Sequence, residues 1–165
     1  NLSLAYLRTA KNQNAFFARV GKKDREFFRE QLAVLNMGLE DRMSQPVGQM
    51  SGGQRQALTL MMATMVPPKL LLLDEHTAAL DPATAEKVLD ITRRVVQQHK
   101  ITTLMVTHNM KNALELGNRT LMMDSGHIVL DISGEKREKM TVTDLLEQFK
   151  AGAGKDLDND RILLS

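Results

Sequence analysis

The chain has 165 residues, of which 42% are hydrophobic and 25% are charged, a composition typical of a globular domain. It contains no cysteine, which excludes both a disulfide framework and a thiolate metal site. Its net charge is only +2, which gives little support to a dedicated nucleic-acid binder, and no apolar run reaches the length of a membrane span.

The first fifty residues are predicted to be helical. A short helix is expected over Asn1–Thr9, and a second helix is expected to be capped by Asp24. The apolar face of that second helix follows an i, i+4, i+7 spacing and consists of Phe28, Leu32 and Leu35. We therefore expect 1–50 to form part of a helical subdomain.

Helices and apolar strands alternate in the middle of the chain. The strands are "KLLLLDE" and "ITTLMVTH", and both are apolar on both faces, which predicts an α/β fold with a parallel sheet between helices. A β-hairpin follows, with its turn at Asp124–Gly126, and a last helix is expected over Val142–Phe149. This organisation predicts an α/β core over 51–133, then a C-terminal helix and a mobile tail over 134–165.

The stretch "SGGQ" places two glycines at the start of an apolar helix. Ser51 and Gln54 have the spacing of a capping box, which explains those two residues but neither glycine. Each glycine costs roughly 1 kcal/mol of helix stability relative to alanine, so packing alone is not expected to select Gly52 and Gly53. Glycines at a helix start also allow an anion such as phosphate to approach the free amides. The cap and the phosphate site are both open at this point.

Two adjacent carboxylates, Asp74 and Glu75, end the first apolar strand. Ligands bind at the carboxyl ends of strands in open α/β sheets, and adjacent carboxylates repel each other unless a cation or a donor-rich substrate lies between them. In phosphoryl transfer, one acid can hold Mg²⁺ while the other polarises water. His108 ends the next strand, so we expect it at the same edge of the sheet.

Four motifs resemble those of the ATP-binding cassette (ABC) ATPases in their order and spacing. "MSGGQRQAL" resembles the signature motif, "LLLLDE" the Walker B strand with its following glutamate, "AALD" the D-loop and "VTH" the switch-histidine loop. The resemblance extends from Asn1 to about Ser133. It implies a partial P-loop NTPase-type core and the ATPase subunit of a membrane transporter.

The resemblance also implies roles for single residues. Asp74 would bind Mg²⁺ through water, Glu75 would activate the attacking water and His108 would contact the γ-phosphate of ATP. The signature residues would contact ATP held by a second copy of the subunit in a head-to-tail dimer, and Asp81 belongs to the D-loop. The nucleotide-contacting signature residues are Ser51, Gly52, Gly53 and Gln54.

The implied partners are a second ATPase subunit, transmembrane permease subunits and, for an importer, a substrate-binding protein, with no nucleic acid. The implied location is the cytoplasmic face of the cell membrane. Two other hypotheses stay open: a soluble ABC-type ATPase that acts on ribosomes or DNA, and a noncatalytic interaction domain.

Two departures from the family pattern matter. His76 stands where proline is usual, which leaves the geometry of that turn open. No G-x-x-x-x-G-K-[ST] motif occurs in these 165 residues. We expect the phosphate-cradling loop to lie upstream of Asn1, so that the chain is the C-terminal portion of a nucleotide-binding domain and is inactive by itself.

Overall fold

The computed structural model describes residues 2–9 and 21–153, and the description below concerns those residues. They form seven α-helices and four strands in the order α1 (Leu2–Thr9), α2 (Lys22–Ala33), α3 (Gly52–Thr64), β1 (Leu70–Asp74), α4 (Pro82–His99), β2 (Thr102–Val106), α5 (Met110–Glu115), β3 (Arg119–Asp124), β4 (His127–Ser133), α6 (Gly134–Glu138) and α7 (Val142–Ala153). A short 3-10 helix, Val47–Gln49, precedes α3. The chain divides into two compact units, Asn1–Leu104 and Met105–Ser165.

The core of the first unit is built around α3, which packs against α1, α2 and α4. Its almost wholly apolar sequence suits this position, because a helix with neighbours on several sides needs more than one buried stripe. Tyr6 of α1 joins α2 through its ring, whose centroid lies 5.5 Å from that of Phe27 and 5.7 Å from that of Phe28. The buried members of this core are Leu32, Leu35, Leu39, Met50, Ala57, Leu58, Leu60, Met61, Leu71, Ile91 and Ile101.

The start of α2 differs from the sequence expectation. Helix α2 begins at Lys22, and its N-cap is Gly21, so the prediction that Asp24 is the N-cap is wrong. Asp24 lies in the first turn, where its carboxylate accepts a hydrogen bond of 2.8 Å from the Gly21 amide. Phe28 and Leu32 form the buried face of α2 as expected, whereas Leu35 is also buried but lies beyond the end of the helix at Ala33.

Strand β1 pairs with β2 in a parallel arrangement, as expected for two strands joined through a helix. The boundary between the two units falls inside β2, after Leu104. The two faces of β1 differ. Leu71 is buried in the α3 core and Leu73 packs against it, whereas Leu70 and Leu72 on the other face are 52% and 65% exposed.

The second unit is built on the antiparallel hairpin of β3 and β4. Ser125 and Gly126 form its turn with φ of 50° and 82°, the left-handed pair that a tight hairpin turn requires. The hairpin carries Met122 and Ile132, which are buried with Leu145 of α7. The predicted hairpin and its turn are confirmed, whereas helix α6 is absent from the sequence prediction.

Arg137 of α6 is a buried charged residue, with only 7% of its surface exposed. Its Nη2 donates to the carbonyl oxygens of Leu114 at 2.6 Å, Leu116 at 2.7 Å and Ala113 at 3.3 Å. Its Nε donates to the hydroxyl of Thr120 at 2.8 Å. The guanidinium therefore satisfies the carbonyls at the end of α5, and a cation is also favoured there by the helix dipole.

The three-part division at 50/51 and 133/134 stays a prediction. The mobile tail expected at the C-terminus lies largely outside the described residues. Within the described residues, no helix is both long enough and apolar enough to cross a membrane.

The uncovered face of the β1–β2 sheet predicts self-association of the 165-residue chain. Leu72 is 65% exposed and Leu104 is 53% exposed, and apolar sheet surface of this kind favours burial against a second copy. We expect Leu72→Lys to lower the apparent mass measured by light scattering. The control is Val34→Lys, because Val34 is 56% exposed but lies away from the sheet at the end of α2. Equal effects of the two substitutions would contradict the prediction.

Candidate functional site

The start of α3 is fixed by a reciprocal cap. The Ser51 hydroxyl accepts from the Gln54 amide at 3.2 Å, and the Gln54 side chain accepts from the Ser51 amide at 3.0 Å. The Gln54 Nε2 also donates to the carbonyl of Met37 at 3.2 Å, so this side chain ties α3 to the segment before it. The capping box expected from the sequence is therefore present.

Close packing within the chain explains one of the two glycines at this helix start. A Cβ atom at Gly53 would overlap the methyl group of Thr84, and one at Gly52 would lie 3.0 Å from Leu80 Cδ2. Leu80 belongs to the D-loop, and Thr84 belongs to the first turn of α4. The expectation that packing alone would not select a glycine is thus wrong for Gly53, whereas Leu80 Cδ2 is the end of a flexible side chain and does not by itself require Gly52. Phosphate binding at the start of α3 stays a prediction. It is supported by the first amides of the helix, which have no backbone acceptor within the helix.

Asp81 begins α4 as its N-cap. Its carboxylate accepts from the Thr84 amide at 3.0 Å. Hydrogen bonds from the Thr84 side chain and amide lower the pKa of the Asp81 carboxyl below its ordinary value. Thr84 therefore contacts the D-loop aspartate through its polar atoms and approaches Gly53 through its methyl group, which places the D-loop against the signature helix of the same chain.

The acid pair lies where the sequence predicts. Asp74 is the last residue of β1, and both Asp74 and Glu75 are exposed. Glu75 has φ 41°, a left-handed conformation that costs a non-glycine residue roughly 1–2 kcal/mol. A turn follows at once, in which the Ala78 amide donates to the Glu75 carbonyl at 3.0 Å and the Leu80 amide donates to Thr77 at 3.1 Å.

The structure defines the turn at His76, whose geometry the sequence leaves open. Its Nε2 lies 3.2 Å from the hydroxyl of Thr92 on α4. Burial lowers the pKa of His76 from its usual 6.5, so the imidazole is neutral at neutral pH. The His76 side chain is therefore bonded to the buried face of α4, whereas the acid pair is exposed. Sequence reasoning does not identify Thr92 as its partner.

His108 belongs to the second unit. It is exposed and lies two residues beyond the end of β2. The next residue, Asn109, caps α5 by accepting from the Asn112 amide at 3.0 Å, and its own amide donates to Thr107 Oγ1 at 3.1 Å. Hydrogen bonds thus fix the backbone on the C-terminal side of His108.

The carboxylate of Asp74 fits a magnesium ion in chemical type. Mg²⁺ prefers oxygen ligands and usually keeps several waters and substrate phosphates, so a single exposed carboxylate is a suitable protein donor. Among the described residues, no group of three or more acidic or histidine side chains is arranged to hold a metal.

A cleft of about 820 Å³ lies in the first unit, away from these residues. It is lined by α2 and the segment that leads to α3, and none of the predicted site residues lines it. The candidate site is therefore an exposed edge, and this cleft does not belong to it.

Comparisons with known proteins agree with this architecture. A family model described as ABC transporter matches residues 4–78. A tyrosine transport ATP-binding protein of Clostridioides difficile (strain R20291) is 47% identical over 119 residues, which cover 72% of this chain and 47% of that protein. A methionine import ATP-binding protein of Oceanobacillus iheyensis is 36% identical over 130 residues, which cover 75% of this chain and 38% of that protein.

A solved structure supports the same assignment. An ABC transporter in an inward-facing conformation superposes with a TM-score of 0.68 and 27% identity, over 90% of this chain and 56% of that chain. The fold is thus the expected P-loop NTPase-type α/β fold in part. The chain belongs to the ATP-binding cassette family and resembles the ATP-binding subunits of its transporters. It spans about half the length, or less, of the curated relatives it matches.

The packing at Gly53 predicts a specific pair of stability effects. We expect Gly53→Ala to lower the free energy of unfolding by about 1–3 kcal/mol, because the added methyl group overlaps that of Thr84. In a Thr84→Ser background the nearest atom is the Cβ of residue 84 at 3.6 Å, an ordinary contact, so the loss should largely disappear. Urea denaturation of the four members of the double-mutant cycle measures this coupling.

Gly48→Ala is the matched control, since a Cβ at Gly48 would meet nothing within 4 Å. It should change stability by less than about 1 kcal/mol. Additive effects of Gly53→Ala and Thr84→Ser would show that the close approach does not select the glycine.

Proposed function

We propose that the chain is part of the ATP-binding and ATP-hydrolysing subunit of an ABC transporter that imports a small solute. The observation that carries this proposal is the exposed acid pair at the carboxyl end of β1, the edge where α/β sheets bind ligands. The name of one relative, which refers to methionine import, supports the direction of transport, and the name of another refers to tyrosine transport. An amino acid is the class of cargo that these names favour.

The acid pair would divide the work of hydrolysis. Asp74 would hold Mg²⁺ through its water ligands, and that ion when bound would neutralise charge on the phosphates of ATP. Glu75 would accept a proton from the attacking water and so orient it toward the γ-phosphate. His108 would donate a hydrogen bond to the γ-phosphate, where negative charge is concentrated during transfer.

The signature residues would act on ATP held by a second copy of the subunit. Ser51 caps α3 at an exposed position, where the positive end of the helix dipole favours a phosphate. Gly52 and Gln54 would contribute at the same helix end, and Asp81 would belong to the dimer interface. The close packing of Gly53 shows that this residue also has a role inside its own subunit.

The proposed subunit works with other proteins at the cytoplasmic face of the membrane. Its partners would be the second ATPase subunit, transmembrane permease subunits and a substrate-binding protein. The 165 residues contain no phosphate-cradling loop motif, and that loop supplies a lysine and backbone amides to bind ATP in this class of fold. We therefore expect the 165-residue chain by itself to have no measurable ATPase activity.

Glu75→Gln tests the catalytic assignment in the full-length protein. The amide is nearly isosteric but cannot accept the proton, so ATP hydrolysis should fall by about a hundredfold or more while ATP binding is retained. Steady-state phosphate release and calorimetric titration with Mg-ATP measure the two quantities. The control is Glu86→Gln, which removes an exposed carboxylate from α4. A normal rate of hydrolysis by Glu75→Gln would overturn the proposed function.

Ser51 offers a test of signature binding that keeps the helix start intact. Aspartate and asparagine are both good N-cap residues, so Ser51→Asp and Ser51→Asn should preserve the cap of α3. Only the aspartate adds a negative charge where phosphate is proposed to bind. We expect Ser51→Asp to abolish ATP-driven dimerisation in sedimentation velocity, and Ser51→Asn to retain most of it. Equal dimerisation by the two variants would contradict phosphate contact at Ser51.

A further inference from the structure

A side-chain hydrogen bond between His76 and Thr92 joins the turn that carries Glu75 to α4. We propose that His76 is a positioning residue for hydrolysis: its hydrogen bond to Thr92 fixes the turn that orients the Glu75 carboxylate. This inference rests on the role proposed above for Glu75. It assigns to His76 and Thr92 a function that requires no contact with ATP.

The direction of the hydrogen bond follows from the other bond that Thr92 makes. The Thr92 hydroxyl donates to the carbonyl of Val88, one turn earlier in α4, at 2.8 Å. Its proton is thereby engaged, so its oxygen accepts from His76 Nε2 at 3.2 Å. The imidazole must therefore carry its proton on Nε2. The lowered pKa of His76 is consistent with a neutral ring.

Thr92, the partner of His76, lies in a well-packed part of α4. Thr92 is 6% exposed, Val88 is 0% exposed, and both lie on the buried face of α4. This face continues with Ile91 into the core around α3. His76 therefore joins the turn to a packed element of the first unit.

The turn needs such an anchor because of the backbone at Glu75. A left-handed conformation at a non-glycine residue persists only where the surrounding structure enforces it. The bonds from Ala78 to Glu75 and from Leu80 to Thr77 close the turn locally. The bond from His76 to Thr92 spans 16 residues and joins the turn to α4. Without it, we expect Glu75 to sample other backbone conformations and to lose its alignment with the attacking water.

Substitutions at Thr92 test the inference in the full-length protein. Thr92→Val keeps the shape of the side chain and removes the acceptor, and it should lower kcat for ATP hydrolysis by about tenfold, because catalysis is sensitive to small displacements of a reacting group. The KM for ATP should change less than about twofold, because no ATP contact is removed. Thr92→Ser keeps the hydroxyl and should recover most of kcat. His76→Ala should reproduce the effect of Thr92→Val.

Thr64→Val separates positioning from helix stability. Thr64 is also buried, at 4% exposure, and its hydroxyl donates to the carbonyl of Leu60 at 2.8 Å, the same bond that Thr92 makes within its helix. The variant therefore removes the helix bond without removing a histidine anchor. We expect kcat of Thr64→Val to stay within about twofold of the wild type.

The combination with Glu75→Gln distinguishes this inference from the proposed function. If His76 acts through Glu75, adding Thr92→Val to Glu75→Gln should lower the single-turnover rate no further. An additive loss, a wild-type kcat in Thr92→Val, or equal losses in Thr92→Val and Thr64→Val would each overturn the inference. Normal hydrolysis by Glu75→Gln would instead overturn the proposed function itself.

Discussion

The first unit depends on how closely the start of α3 approaches the start of α4. A glycine at position 53 leaves room for the methyl group of Thr84, and a larger residue would overlap that methyl group unless something shifted. Helix α3 also packs against α1 and α2, so it occupies the centre of this unit. Contacts at one helix start, together with Ile91 in the shared core, therefore hold α4 against α3.

This close approach joins two parts of the candidate site, the signature helix and the D-loop. The signature helix begins at Ser51, and the D-loop ends at Asp81, the residue that caps α4. Thr84 contacts both, through its methyl group on one side and its hydrogen bonds on the other. The strained turn at Glu75 connects the end of β1 to the D-loop.

The second unit contains a buried charge, the guanidinium group of Arg137. Arg137 has no need of a carboxylate, because the carbonyls at the end of α5 and the hydroxyl of Thr120 accept its hydrogen bonds. The helix end gains partners for oxygen atoms that its own geometry leaves unsatisfied. Helix α5, hairpin strand β3 and helix α6 are thereby held by a single side chain. Charge burial of this kind is tolerated only when the hydrogen bonds are made.

The sequence by itself determined the features that depend on near neighbours. The apolar spacing of Phe28 and Leu32 on α2, the capping box at Ser51 and the hairpin turn are all local, and the structure confirms each of them. Only the tertiary structure decided which distant residues share a contact. Gly53 with Thr84, His76 with Thr92 and Arg137 with the end of α5 leave no periodic signal, because each pair joins segments that folding alone brings together.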